Sequence, residues 1–219
     1  MSPTQRRRVK QAGAALSAAV TAGTLALAAL AWKDDRQDAR REDRRAIEAE
    51  RRENQRLLAP GATVDGLRLG AFVARGRDLA GLRARAVDAE HAVLDGATAD
   101  SADLDGADLD GLSAVGARLV GAGLTAAHLR NAHLQRADLS GATLHRADLT
   151  GADLRRAELA GAELAGAELG GANLAGTDLS AVKGLQAATF TGGACYDAAT
   201  RWPAGSSPPP LDCADWPDG

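Results

Sequence analysis

The sequence repeats with a period of five over most of its second half. Every fifth residue from Leu104 to Leu179 is leucine, except Ala114, and the position two before is alanine from Ala102 to Ala172, except Leu112. An α-helix would scatter residues five apart around its axis, and a flat strand would send them to opposite faces in turn. The chain must therefore bend once per pentad, which predicts very short strands coiled around an interior ladder of leucine.

The pentad register defines both the core and the extent of this region. It can be followed back to Val64 without insertion or deletion, which gives 24 pentads up to Leu179. It slips after Leu179, so we expect the regular coil to end there and the repeat region to span 62–182. The predicted core is the leucine ladder: Leu104, Leu109, Leu119, Leu124, Leu129, Leu134, Leu139, Leu144, Leu149, Leu154, Leu159, Leu164, Leu169, Leu174 and Leu179.

The repeat region is poor in the residues that fill an irregular core. No aromatic residue occurs between Phe72 and Phe190, and no proline occurs between Pro60 and Pro203. Aromatic side chains normally dominate the cores of globular domains. Their absence favours a narrow interior of uniform width.

The N-terminal part is organised differently. A basic tail (1–11) precedes a charge-free stretch (12–32), which spans roughly 32 Å as a helix and predicts a single transmembrane helix. A charged helical spacer follows at 33–59 and ends at Pro60. Basic residues are more numerous after the apolar stretch, which favours a cytoplasmic repeat domain. The alternative is a signal peptide cleaved after Ala31, with export of the remainder.

The motif A(D/N/E)LxG, written out in the stretch 137–174, closely resembles the pentapeptide-repeat family, here of a bacterial, membrane-anchored type. The resemblance implies an all-β fold, a right-handed quadrilateral β-helix with four pentads in each coil. The segment 194–203 resembles the ending found on many such proteins. It implies a C-terminal cap and Pro-rich tail over 183–219, with these capping residues: Tyr196, Thr200, Trp202 and Pro203.

Coils of 20 residues would place residues 20 apart above one another. One outward column then contains Asp138, Glu158 and Asp178, an acidic column suited to a basic partner. We expect Arg118 to be the neighbour of Asp138 in the preceding coil, where the opposite charges attract.

The two cysteines, Cys195 and Cys213, form a terminal disulfide if the domain faces an oxidising compartment and stay reduced otherwise.

Nothing in the sequence indicates catalysis. Nucleophile, phosphate-loop and C-x-x-C motifs are missing, and the four histidines lack metal-ligand spacing, so we expect no enzyme, cofactor or metal. Residues 102–179 contain 6 Lys+Arg and 11 Asp+Glu, which argues against direct nucleic-acid binding.

Two functions compete. The sequence favours a non-enzymatic, membrane-anchored structural or interaction module, with an unidentified protein partner and a bilayer contact through 12–32. The alternative is a DNA-mimicking inhibitor or protector of a type II topoisomerase (gyrase). Arginines dilute that mimicry: Arg130, Arg136, Arg146, Arg155 and Arg156. The sequence leaves the oligomeric state open.

Overall fold

A computed structural model describes residues 59–211 and Trp216. All of the described residues belong to one compact unit of the chain. The expected basic tail, transmembrane helix and nearly all of the charged spacer therefore lie outside the described residues. Within the described residues, no helix has the length and apolar character needed to cross a membrane.

The repeat region is a β-solenoid whose coils contain four pentads. From Thr63 to Glu163, each outward residue before a ladder position forms a parallel bridge with the residue 20 positions later, beginning with Thr63 and Arg83. These bridges confirm the predicted all-β solenoid and define four faces. Face 1 begins at Thr63, face 2 at Arg68, face 3 at Val73 and face 4 at Asp78. The bridges are single residues rather than extended strands.

Backbone hydrogen bonds join each pentad to both neighbouring coils. In the pentad centred on Leu104, the amides of Asp103, Leu104 and Gly106 donate to carbonyls of adjacent coils at 2.7, 2.8 and 2.8 Å. The Ala107 amide closes the corner on the Leu104 carbonyl at 3.1 Å. The third corner residue, Gly106, has φ of 66°, the left-handed conformation that a type II turn requires and that glycine adopts readily.

The interior combines one large and one small side chain in most pentads. Every leucine of the predicted ladder is buried, and the alanines two positions before them fill the space between. At the apparent exception, Ala114, the large and small side chains exchange positions: Leu112 is 2% exposed and Ala114 is 0% exposed, so both lie in the interior. Leu82 and Ala84 make the same exchange nearer the N-terminal end. The swap conserves interior volume, so the coil continues without distortion.

The solenoid continues beyond the predicted end of the regular coil. The 20-residue spacing still holds for the bridge of Glu163 with Lys183, and a seventh coil follows with spacings of 21, 22 and 23 residues: Glu168 with Thr189, Asn173 with Cys195, and Asp178 with Arg201. Each of these three connections contains one extra residue, the first beside the 3-10 helix Leu185–Ala187. The regular 20-residue spacing therefore ends close to where the register slips after Leu179, whereas the bridges persist across the longer connections of the seventh coil.

Candidate interaction surface

Outward aspartates of the repeat accept hydrogen bonds from backbone amides two residues later. In the regular coils, the amide just after a ladder residue has no backbone acceptor among the described residues, except at Gly70, which donates to the Asp88 carbonyl at 3.3 Å. The carboxylates of Asp138 and Asp148 accept a hydrogen bond from this amide in Ser140 and Thr150, both at 3.0 Å. The Asn173 amide oxygen does the same for Ala175, at 3.0 Å. Outward acids in the motif are thus partly structural, so they do not all belong to a recognition surface.

The predicted acidic column lies on face 4, where bridges join Asp138 to Glu158 and Glu158 to Asp178. Its charge is reduced at the upper end, where Asp178 pairs with Arg201 at 3.2 Å. Hydrogen bonds from the Ser180 hydroxyl and amide, together with Arg201, hold the pKa of Asp178 below its usual value. At the lower end, Arg118 is bridged to Asp138, but its ion pair is with Asp100 at 2.8 Å.

Several arginines on the rod are paired with aspartates of neighbouring coils. Arg130 lies 3.0 Å from Asp110 and 3.5 Å from Asp148, and Arg75 lies 3.2 Å from Asp95. These side chains are partly exposed, so each pair contributes little to stability. Their effect is to neutralise much of the positive charge of the rod locally.

A groove of about 530 Å³ runs along the corner between faces 3 and 4, and we call it the corner groove. Arg136 and Arg156 lie on it one coil apart, both exposed and both at left-handed φ of 58°. Neither forms an ion pair with any acid in the described part of the chain. The groove is lined by Val115, His133, Gln135, Arg136, Arg155, Arg156, Ala175 and Asp197.

A buried carboxylate anchors one wall of the corner groove. Asp153 is 1% exposed, and it accepts hydrogen bonds from the Arg155 guanidinium, the closest at 2.8 Å, and from the Gln135 amide. The Gln135 Oε1 atom is buried without a donor. Sequence reasoning did not single out this cluster. The sequence feature that could have revealed it is the coil length, since residues 135 and 155 become neighbours only when 20 residues make one turn.

The predicted capping residues occupy the seventh coil. Phe190, Tyr196 and Trp202 stand where the regular coils have leucine. The ring centroids of Trp202 lie 6.2 Å from Phe190 and 5.3 Å from Tyr196, in edge-to-face arrangements. The Thr200 hydroxyl donates to the Leu174 carbonyl at 2.9 Å. Pro203 follows directly, half-buried. This aromatic cluster packs against the end of the leucine ladder.

The chain after the cap returns along face 3. Leu211 forms a parallel bridge with Ala194, and the Tyr196 hydroxyl donates to the Pro209 carbonyl at 3.2 Å. The Trp216 indole donates to the Gly171 carbonyl at 3.0 Å. Cys195, fully buried on this face, is disulfide-bonded. Cys213, the only other cysteine of the sequence, lies outside the described residues, so the predicted pairing stays a prediction.

Asp197 should make the cap sensitive to acid. It accepts hydrogen bonds from the amides of Gly176, Ala199 and Thr200. The Gly176 bond contributes most to lowering its pKa, more than burial raises it. A lowered folded-state pKa stabilises the fold above the unfolded value of about 3.9, and that contribution is lost as the pH falls through the folded pKa.

We therefore expect Asp197→Ala to lower the melting temperature at pH 7. The difference from the wild type should shrink as the pH falls below about 3.9 and through the lower folded-state pKa of Asp197, where the wild type also loses its charged cap. Thermal unfolding by circular dichroism between pH 2 and pH 7 measures this. A difference that stays constant over the whole range would contradict a role for the ionised carboxylate.

The groups that catalysis or metal binding would need are dispersed. His128 and His133 lie on faces 2 and 3, and His145 pairs with Glu163 at 3.1 Å. Among the described residues, no group of three or more His, Cys, Asp or Glu side chains could hold a metal ion. The described residues offer an ordered surface that includes the charged corner groove.

The sequence matches the family model for pentapeptide repeats, with eight copies, over residues 78–111, 117–156 and 152–183. No curated protein sequence matches the chain. Similar solved structures include the pentapeptide repeat protein Rfr23 from the cyanobacterium Cyanothece 51142. Its identity is 22% and its TM-score 0.38, with 64% of this chain and 90% of that chain covered.

Two further structures show the same kind of likeness. A pentapeptide repeat protein from the Arabidopsis thaliana thylakoid lumen is 26% identical with a TM-score of 0.31, covering 50% of this chain and 66% of that one. QnrB1, a plasmid-mediated fluoroquinolone resistance protein, is 20% identical with a TM-score of 0.28, covering 64% and 84%.

Proposed function

Because this chain is a pentapeptide-repeat protein, we propose that it is a non-enzymatic protein-interaction module held at a membrane by residues 12–32. The solenoid is a rigid rod, and the corner groove is its binding surface. One observation carries this proposal: Arg136 and Arg156 remain without acidic partners on a rod where Arg75, Arg118 and Arg130 all have them.

Rigidity supports this use of the rod. Each coil is joined to its neighbours by backbone hydrogen bonds on all four faces, so outward side chains stand at fixed spacings. A partner that matches these spacings loses little conformational entropy on binding, because the surface is already ordered. The apolar side chains of the interior are buried, so they stabilise the fold and do not contact a partner.

Photo-crosslinking in cells tests the interaction function. The photoreactive residue p-benzoylphenylalanine is placed at Val115, which lines the corner groove, and separately at Val120. Val120 occupies the equivalent pentad position one face further along the chain. We expect a discrete crosslinked product from position 115 and none from position 120. Equal products from both positions, or none from either, would contradict the proposal.

The membrane and its sidedness form a separate part of the proposal. The positive-inside rule supports a cytoplasmic rod, whereas a disulfide at Cys195 supports an oxidising compartment. Cell fractionation with protease protection of a C-terminal tag separates these placements. Recovery of the protein in the soluble fraction without a cleaved N-terminus would contradict the anchor.

The acidic column on face 4 supports a second candidate, a DNA-mimicking inhibitor or protector of gyrase. Asp138 and Glu158 stack on this face without ion pairs to any described residue, as phosphates line a duplex. Arg136 and Arg156 beside the column weaken such mimicry. A gyrase supercoiling assay with the full-length protein distinguishes the two candidates, and inhibition at micromolar protein would favour the second.

A further inference from the structure

We propose that the corner groove binds an acidic segment of a partner protein, with Arg136 and Arg156 holding its carboxylates. This inference rests on the proposed interaction function and specifies the chemistry of the partner. The groove is lined by one corner residue from each of four consecutive coils: Val115, Gln135, Arg155 and Ala175. At a coil spacing of ~4.8 Å this is about 14 Å, the length of four extended residues.

The two arginines occupy the same left-handed corner position on adjacent coils, where the other long side chains at that position are separated. Arg146 and His91 each lie beside a glycine one coil further, Gly166 and Gly111. Arg136 instead has Arg156 at that position, and both have left-handed backbones. Two guanidinium groups on adjacent coils repel one another, and an anion held between them would remove that repulsion while accepting hydrogen bonds from both.

The walls of the groove do not supply that anion. Asp153 is buried, and its carboxylate already accepts hydrogen bonds from Arg155 and Gln135. Asp197, at the other side of the lining, is occupied by three backbone amides. Neither carboxylate therefore forms an ion pair with Arg136 or Arg156 across the groove.

A protein segment fits this surface better than a nucleic acid. The adjoining face 4 carries Asp138 and Glu158, which would repel a continuous phosphate backbone but leave room for isolated carboxylates. Gln135, in the groove wall, has an Oε1 atom without a donor. A peptide backbone offers N–H donors for such an atom, whereas a phosphodiester backbone offers none.

The test uses the full-length protein and two fluorescein-labelled decapeptides, one alternating glutamate with glycine and one alternating glutamine with glycine. Fluorescence anisotropy should show binding of the glutamate peptide alone. In the double variant Arg136→Gly and Arg156→Gly, we expect its affinity to fall by about tenfold or more, as charge-assisted hydrogen bonds are lost. Arg146→Gly is the matched control, because Arg146 also occupies a left-handed corner but lies outside the groove.

Both the double variant and the control should unfold at the same temperature as the wild type or higher, since glycine relieves the left-handed backbone. A loss of binding in the double variant is then not a loss of fold. Equal weakening by Arg146→Gly, equal binding of the glutamine peptide, or arginine-dependent binding of a DNA duplex without peptide binding would overturn the inference. Crosslinking at Val115 without glutamate-peptide binding would reject the acidic segment and leave the interaction function standing.

Discussion

Replacing Leu149 by aspartate should remove the cooperative unfolding transition of the rod. Leu149 is 1% exposed in the middle of the ladder. Losing a buried leucine side chain costs about 2–5 kcal/mol, and burying an unpaired carboxylate adds several more. That total approaches the whole stability of an ordinary domain, about 5–15 kcal/mol. Far-UV circular dichroism with thermal and urea unfolding measures the loss.

The neighbouring residue provides the matched control. Asp148 faces outward and accepts the Thr150 amide at 3.0 Å, an acceptor role that asparagine retains, as Asn173 shows. We expect Asp148→Asn to unfold within a few degrees of the wild type. If Leu149→Asp and Asp148→Asn were to unfold alike, the division of the pentad into inward and outward positions would be wrong.

Trp202→Ala should destabilise the C-terminal end of the rod by about 2 kcal/mol, below the value for a fully buried tryptophan because the ring is half-buried. The variant removes the edge-to-face contacts with Phe190 and Tyr196 and exposes the end of the ladder. An uncovered solenoid end presents apolar side chains and unpaired backbone groups, which promote association. We therefore expect a lower melting temperature together with larger species in size-exclusion chromatography with light scattering.

Trp202→Phe distinguishes capping from a general loss of packing. Phenylalanine keeps an aromatic ring over the ladder, so most of the stability and the size of the wild type should return. If the alanine variant kept the melting temperature and size of the wild type, the aromatic cluster would not be the cap, and the tail along face 3 would have to provide it.

The leucine period by itself determined the solenoid, because no other regular structure brings residues five apart to one interior. The period also separated Leu149 from Asp148. Which residues lie above one another followed from the resemblance to pentapeptide repeats, which implies four pentads in each coil, as the bridge from Asp138 to Glu158 illustrates. The inward and outward positions follow from local geometry repeated without interruption, which a sequence displays directly.

Other features depended on contacts that the period does not encode. The seventh coil accommodates extra residues because its bridges tolerate longer connections, so the register slip after Leu179 did not end the solenoid. The partner of an outward charged residue depends on the length and direction of its side chain. Arg118 therefore forms its ion pair with Asp100 and not with Asp138.

The corner groove is the clearest case of this dependence. Its chemistry arises because Asp153 is buried and binds Arg155, while Arg136 and Arg156 remain unpaired. The sequence by itself determined the rod, since its repeat constrains every coil alike. Only the tertiary structure decided which arginines of that rod form ion pairs, since pairing depends on how far each side chain reaches across neighbouring coils.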